Sequence, residues 1–319
     1  MRKSVALIVA AGLLATLAGC SSSGSSASGC TPQLSAGDAS NTIAAAGAFG
    51  TAPTVTVNTP LHTADSQSTT LITGTGPRVE TGDYLLGEYT FVDGATGAVV
   101  QKSAYNGSDS AGFVVGKLDT LPGLDSAVVC ATQGSRLAVA MAPIQSTTSA
   151  TPSTDSIVAV FDITTVFPSR ADGAVQPAQA GFPSVALGPD GRPGITIPSG
   201  SLPTSQQVAV LKKGSGQTVA EGDHVVFKYT AVVWADKSVA KTTWDDGVPA
   251  AATASSSAPL ATNIVPALVG QTVGSQYIAV VPPSAGYGDT ASTTPVIPAN
   301  STLVYVVDVL GILPAAAAQ

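Results

Sequence analysis

The chain has 319 residues, of which only 10% are charged, and its formal net charge is −7. Loss of Arg2 and Lys3 with a signal peptide would make the charge about −9, so a nucleic-acid partner is not expected. The two histidines and the lack of Cys-x-x-Cys or His-Glu-x-x-His motifs give no support for a metal site, and no cofactor is expected. The length allows two ordinary domains, and alternating Val, Thr and Ile with frequent Gly and Pro favours strands.

The N-terminus predicts export. Two basic residues precede an apolar run from Val5 to Ala18, which is too short to span a bilayer and is typical of a signal-peptide core. Leu17-Ala18-Gly19-Cys20 resembles a bacterial lipobox, in which the signal (1–19) is removed and Cys20 is acylated. The alternative is an ordinary secretory signal with Cys20 merely nearby. Residues 20–47 are predicted to be a lipidated, flexible tether that holds the protein at the extracytoplasmic face of the cell membrane.

Two cysteines remain once Cys20 is assigned to the lipid. Cys30 and Cys130 are a disulfide candidate, because an even pair of cysteines in an exported chain is commonly oxidised. The alternative is one buried and one exposed free thiol.

An internal repeat sets the domain organisation. The recurring residues lie 140 positions apart, without a gap between Gly74 and Pro143. The matched pairs are Gly74-Thr75-Gly76 with Gly214-Ser215-Gly216, Val79 with Val219, Gly82-Asp83 with Gly222-Asp223, Tyr89-Thr90 with Tyr229-Thr230, Gly107 with Gly247, Gly134-Ser135 with Gly274-Ser275, and Pro143 with Pro283. The sequence therefore predicts two copies of one domain, at 48–167 and 193–314, joined by a Pro/Gly-rich linker at 168–192.

Short apolar segments predict the strands of each copy. They are Tyr84–Thr90 in the first copy and His224–Thr230, Gln276–Val281 and Leu303–Leu310 in the second. The only helical pattern of the second copy runs from Ile264 to Gly270. An antiparallel sheet folded over one short helix satisfies both observations.

The second copy resembles the FKBP-type peptidyl-prolyl isomerases between about Val208 and Leu313. The resemblance rests on Phe227-Lys228-Tyr229-Thr230, Thr242-Thr243-Trp244-Asp245-Asp246-Gly247, Ala285-Gly286-Tyr287-Gly288, Val296-Ile297-Pro298 and Thr302-Leu303-Val304-Tyr305. It implies an α+β fold for both domains, each a twisted antiparallel sheet of about five strands wrapped around a short helix. It also implies catalysis of X-Pro bond rotation without a metal or cofactor. Together with the export signal, this predicts a surface-anchored monomer that acts on exported proteins.

The resemblance also implies the site residues. Tyr229 and Tyr287 would be the catalytic pair, with the Tyr287 hydroxyl donating to the substrate carbonyl. Substrate-binding positions would be Leu260, Ala261, Ile264, Val296, Ile297 and Tyr305. Taken without the repeat, Tyr229 is better interpreted as a half-buried strand tyrosine than as a catalytic residue, and Trp244 is expected to be a packing residue.

Departures from the family pattern affect one wall of the site and its floor, where Ile264 stands in place of the family's Trp. Ala240 and Lys241 stand where the family has Phe and Asp, so an aromatic wall and an acidic group are both replaced. The first copy departs further, with Val100-Gln101 at these positions and no counterpart of Tyr287 in the Ser/Thr-rich stretch 144–155. We therefore predict a degenerate first domain and place the activity in the second.

Two other functions remain open from the sequence. The replaced acid at Lys241 favours a catalytically weak or inactive peptide-binding or chaperone module with the same fold. An adhesive β-sandwich repeat is a further alternative, which a structure without a helix near Ile264 would favour.

Overall fold

The computed structural model describes residues 29–143, 156–256 and 265–313. They form two antiparallel sheets of six and seven strands, one in each half of the chain. Among these residues no helix combines the length and apolar character required to cross a membrane. Cys30 and Cys130 are both disulfide-bonded, which is the state that the sequence predicted for them.

The N-terminal domain is built mainly from strands. Its strands are β1 (Ala44–Ala46), β2 (Thr54–Thr56), β3 (Gln67–Ile72), β4 (Tyr84–Asp93), β5 (Val99–Lys102), β6 (Ala111–Val114), β7 (Arg136–Met141) and β8 (Ile157–Phe167), and its helices are α1 (Asp38–Asn41) and α2 (Pro122–Val128). The sheet order is β3-β7-β8-β4-β5, and β6 pairs with the free half of β4 beside β5.

The C-terminal domain repeats this arrangement. Its strands are β9 (Ala174–Val175), β10 (Ser184–Leu187), β11 (Pro193–Thr196), β12 (Gln207–Lys213), β13 (His224–Val233), β14 (Val239–Thr242), β15 (Ala250–Thr253), β16 (Gln276–Val281), β17 (Ser292–Thr293), β18 (Val296–Ile297) and β19 (Leu303–Ile312), and its helix is α3 (Val265–Leu268). The sheet order is β14-β13-β19-β16-β12-β9, with β15 also paired to β13. The predicted count of about five strands is therefore too low for both domains.

The central strands are buried on both faces of the sheet. Every residue of β16 is buried, and so are all residues of β19 except the last. This explains why their sequences are continuous apolar runs rather than an alternation of apolar and polar residues. Something must therefore cover each of the two faces of the sheet.

Short helices cover part of the inner face of each sheet. Leu124 of α2 and Leu268 of α3 are almost completely buried. Proline at the start of α2 suits a helix N-terminus, because its missing N–H has no intrahelical partner there. The helix predicted near Ile264 is present as α3, which disfavours the adhesive sandwich. The helices are so short that the fold is largely β, and it matches the predicted α+β class only in outline.

A glycine–aspartate turn introduces the long central strand of each domain. Gly82 and Gly222 have φ values of 94° and 88°, in the left-handed region that glycine adopts without steric cost. The following aspartates, Asp83 and Asp223, each accept the backbone N–H of the residue three positions earlier. The sequence repeat thus reproduces one turn geometry twice.

Two β-hairpins cover the outer faces of the sheets. Val55 and Val57 of the β1–β2 region pack on the outer face of the N-terminal sheet. Ile195 and Ile197 of the β10–β11 region pack equivalently on the C-terminal sheet. The two isoleucines lie 140 positions after the two valines, so the hairpin is part of the repeated unit.

Helix α1 and the hairpin strands lie in stretches that the sequence assigned to the tether and the linker. Residues 38–46 lie inside the predicted tether but form α1 and β1, with Ile43 buried in the core. The predicted linker, 168–192, contains β9 and β10. The second domain therefore begins before residue 193. Proline and glycine in these stretches shape hairpin ends and turns instead of marking an unstructured connection.

A group of buried charged residues crosses the centre of the N-terminal sheet. Arg136 donates to Asp162 from Nε at 2.6 Å and from a terminal nitrogen at 2.7 Å, and both side chains are fully buried. Glu88 lies directly opposite Asp162 on the neighbouring strand. Arg136 also donates to the Gly47 carbonyl, which fastens the β1–β2 hairpin to the sheet.

The C-terminal sheet has a different set at the equivalent positions. Gln276 replaces the arginine and donates to Asp308 at 2.7 Å. Lys228 replaces the glutamate and lies opposite Asp308 on β13. Each domain therefore contains one buried basic side chain, Arg136 on β7 in the first and Lys228 on β13 in the second.

The two domains belong to one unit of the fold from Pro32 onward and contact each other directly. Phe167 of the first domain packs with Val226 and Leu310 of the second. Between the domains, the Ser169 N–H donates to Asp83 at 2.9 Å and its carbonyl accepts from Lys228 at 3.0 Å. The start of the predicted linker is thus held by both domains.

Candidate active site

A row of aromatic rings lies on the inner face of the C-terminal sheet. Tyr229 on β13 and Tyr305 on β19 have ring centroids 6.3 Å apart with an interplanar angle of 45°. Phe227 lies two residues before Tyr229, and their centroids are 6.0 Å apart. Because side chains two residues apart on a strand share a face, the strand spacing by itself places Phe227 in this row. Phe227 was not predicted as a site residue, although that spacing could have identified it.

A loop that follows β16 brings Tyr287 to the same cluster. A single 3₁₀ turn at Pro283–Ala285 starts the loop, and the Gly288 N–H donates to the Pro283 carbonyl at 3.0 Å. The Asn300 N–H then donates to the Gly288 carbonyl at 2.7 Å, which closes the far end. Tyr287 is half-buried and packs against the apolar cluster that contains Tyr305 and contacts Tyr229. The structure therefore brings the three predicted tyrosines together.

The Tyr229 hydroxyl remains protonated over the neutral range. Burial raises the pKa of Tyr229, and the nearby Tyr287 raises it further. Both influences disfavour the phenolate, because a charged form loses solvation on burial and is repelled by a second phenolate. Tyr229 is consequently a hydrogen-bond donor at neutral pH and not a base.

The two predicted rim residues differ in their surroundings. Ile297 is 1% exposed and belongs to the apolar cluster, whereas Val296 is 72% exposed. They lie in the two-residue strand β18, which pairs with β17 as a small hairpin. Ile297 is therefore a core residue beneath the site, and Val296 is the one available at the surface.

The wall at Ala240 and Lys241 is small and carries a positive charge. Ala240 is half-buried and packs against the apolar cluster, and Lys241 is exposed. A register shift between Ala231 and Val232 in the pairing of β13 with β14 accommodates an extra residue here.

The remaining predicted positions lie outside the described residues. These are Leu260, Ala261 and Ile264, which belong to the stretch 257–264, and the lipidation candidate Cys20. Trp244 is 8% exposed and has the Lys228 Nζ 5.0 Å from its ring centroid, on the side toward the first domain. It is a packing residue, as predicted.

The equivalent face of the N-terminal domain is arranged differently. The rings of Tyr89 and Phe91 are tilted by 35° with centroids 4.9 Å apart, and the Tyr89 hydroxyl accepts a hydrogen bond from Gln101 Nε2 at 3.0 Å. The tyrosine that corresponds to Tyr229 is therefore engaged within its own domain. The predicted absence of a Tyr287 counterpart concerns 144–155, which lies outside the described residues.

The inner face of the C-terminal sheet suits one kind of chemistry. Rotation about an X-Pro bond has a barrier of roughly 20 kcal/mol, because amide resonance must be broken. The resonance form is charge-separated, so an apolar surface disfavours it relative to the twisted amide. A tyrosine hydroxyl that donates to the carbonyl of the twisted amide lowers the barrier by differential binding. The site needs neither a nucleophile nor a metal for this reaction.

Comparison with known families places this site in context. Residues 215–310 match the family model described as FKBP-type peptidyl-prolyl cis-trans isomerase. The matched segment includes β13, the tyrosine loop and β19 as far as Leu310.

Two solved structures share similarity with the chain. One is the crystal structure of the three FKBP domains of wheat FKBP73, with 20% sequence identity and a TM-score of 0.33. The alignment covers 78% of this chain and 94% of the wheat chain. The other is the N-terminal domain of FKBP42 from Arabidopsis thaliana, with 16% sequence identity and a TM-score of 0.34. The alignment covers 44% of this chain and 100% of the Arabidopsis chain. No curated protein matches the chain.

Proposed function

We propose that this protein is a peptidyl-prolyl cis-trans isomerase that acts on X-Pro bonds of exported proteins, with the activity in its C-terminal domain. The observation that carries the proposal is the grouping of Tyr229, Tyr287 and Tyr305 on one apolar cluster, within a domain of the FKBP type. The proline ring would pack on the aromatic row, and a tyrosine hydroxyl would donate to the carbonyl that precedes it. The N-terminal domain would serve as a structural or docking domain, since the Tyr89 hydroxyl is already bonded.

The test is a refolding assay in which proline isomerisation of a client protein limits the rate. We expect the full chain to accelerate refolding, and the double variant Tyr229→Phe with Tyr287→Phe to reduce kcat/KM by about tenfold or more. Tenfold corresponds to ~1.4 kcal/mol, which is the size expected for the loss of a hydrogen bond made in the transition state.

Tyr89→Phe is the matched control, because it makes the same change at the equivalent position of the first domain. It should leave the acceleration unchanged. Acceleration that survives the double variant, or that disappears with Tyr89→Phe, would contradict the assignment of the activity to the C-terminal domain.

The alternative function is a peptide-binding module without catalysis. The exposed lysine at position 241 and the small Ala240 favour it, because the acid and the aromatic wall of the family pattern are both replaced. The same assay separates the two functions. Native protein that binds a proline-containing peptide but refolds its client no faster than buffer would establish the binding module.

We further propose that acylated Cys20 anchors a monomeric protein at the extracytoplasmic face of the membrane. The support is the lipobox-like sequence that ends at Cys20, followed by a serine-rich stretch. Cys20→Ala should move the protein from the membrane fraction to the soluble fraction, and a protein that stays membrane-bound would reject the anchor. Size-exclusion chromatography with light scattering of the Cys20→Ala protein tests the monomeric state.

A further inference from the structure

Lys241 projects from the same face of the sheet as the aromatic row. It pairs with Ala231 across β13 and β14, and the Ala231 side chain belongs to the apolar cluster beneath the site. Directly paired residues on neighbouring strands share a face. The lysine is exposed, and it has no hydrogen-bond or salt-bridge partner among the residues that the structure describes.

The internal repeat shows what a side chain at this position can reach. Gln101 occupies the equivalent position of the first domain, 140 residues earlier, and it donates to the hydroxyl of Tyr89 at 3.0 Å. Tyr89 is in turn the equivalent of Tyr229. Lys241 pairs with Ala231 across β14 and β13 as Gln101 pairs with Phe91 across β5 and β4. In both domains a register shift follows this pair. The Lys241 ammonium group, on a longer side chain, can therefore reach the Tyr229 end of the aromatic row.

We infer that Lys241 gives the site a preference for segments with an aspartate or glutamate next to the proline. The inference rests on the proposed isomerase function and names the substrate class of that site. An unpaired cation at the rim of an apolar surface attracts a neighbouring carboxylate and repels a lysine or arginine. The attraction is modest, because an exposed ion pair contributes only a few tenths of a kcal/mol to about 1 kcal/mol.

The test compares three peptides that differ only in the residue before proline, which is Glu, Gln or Lys. The full chain should turn over the Glu-Pro peptide with a kcat/KM about two to five times that of the Gln-Pro peptide. The Lys-Pro peptide should be the poorest. In 1 M salt, where the Debye length is about 3 Å, the ratio should approach one.

Lys241→Gln, which copies the first domain, should bring the Glu/Gln ratio close to one. Lys213→Gln is the matched control, because this exposed lysine lies on β12, which β16 and β19 separate from β13. Three strand spacings place β12 about 14 Å from β13. The control should keep the wild-type ratio despite the same loss of one positive charge.

Three outcomes would overturn the inference. They are a wild-type ratio of one, a ratio that survives Lys241→Gln, and a preference for Lys-Pro. The last would point to Asp289, which is exposed two residues after Tyr287. If no peptide is turned over, the proposed isomerase function fails instead. The ratio of peptide affinities, measured by fluorescence anisotropy, then decides the charge preference in the same way.

Discussion

Asp83 shows how a single side chain can combine a local role with a role between domains. Its carboxylate accepts one N–H within its own turn and a second N–H from Ser169, at the junction of the domains. The residue is 6% exposed, and burial raises its pKa to about 6 from an ordinary value of 3.8. The accepted N–H groups and the nearby Lys228 act in the opposite direction, but burial dominates.

The raised pKa of Asp83 leads to a defined pH dependence of stability. Between about pH 4 and pH 6 the folded protein binds more protons than the unfolded chain, so the free energy of unfolding falls as pH rises. The loss attributable to this group reaches up to about 3 kcal/mol, at 1.36 kcal/mol per unit of pKa difference. Asp83→Asn should abolish this contribution, with the difference measured by urea denaturation from pH 3.5 to 7.5.

The difference between wild type and Asp83→Asn is the decisive quantity, because other carboxyl groups titrate in both proteins. Below pH 4 Asp83 is protonated in both the folded and the unfolded protein. The difference in the free energy of unfolding then reflects the hydrogen bond that the asparagine NH2 group cannot accept. It should then shift in favour of the variant as pH rises to 6. A difference that stays constant across this interval would show that Asp83 does not titrate there.

Residues of the site were predictable to different degrees. Tyr229, Tyr287 and Tyr305 were found through the family resemblance, and the structure groups them on one cluster. The burial of Ile297 could not be predicted, because it depends on how the short β17–β18 hairpin folds over the sheet. No two-residue strand has a hydrophobic period of its own.

Among the elements, the long strands were the most predictable. Gln276–Val281 was predicted with both ends correct, and Leu303–Leu310 extends by only two residues, to Ile312. These strands are buried on both faces, so their apolar runs are unambiguous. The outer hairpins were missed because β1 is three alanines, which have low strand propensity, and β10 lies in a Pro- and Gly-rich stretch. The 140-residue spacing of Val55 and Ile195 was the available signal.

The outer hairpins should contribute measurably to stability. Ile197 is 7% exposed against the outer face of the C-terminal sheet, so Ile197→Ala removes buried apolar surface and leaves a cavity. We expect a decrease of about 2–4 kcal/mol in the free energy of unfolding, measured by urea denaturation.

Leu202→Ala is the control for the hairpin, because Leu202 is a large apolar residue that is 53% exposed. It should change stability by less than about 0.5 kcal/mol. Equal effects of the two substitutions would mean that the hairpin does not form part of the folded core.

At the scale of the whole molecule, the sequence predicted two copies of one domain, and the structure has two sheets whose strand orders correspond. The stretch 168–192 between them was predicted to be a linker. Phe167, Val226 and Leu310 instead form a buried cluster between them, and Ser169 is bonded to both. Contacts between domains leave no periodic signal in the sequence, because each partner resembles an ordinary core residue of its own domain.

Two similar sheets in direct contact could in principle exchange strands while the chain folds, which is a known hazard of tandem repeats. The buried charges work against this error. With β4 in place of β13, Glu88 would face Asp308 beside Gln276, so two acids would be buried without a base. Since unpaired buried charge is strongly destabilising, two acids without a buried basic residue disfavour the insertion of β4 into the C-terminal sheet.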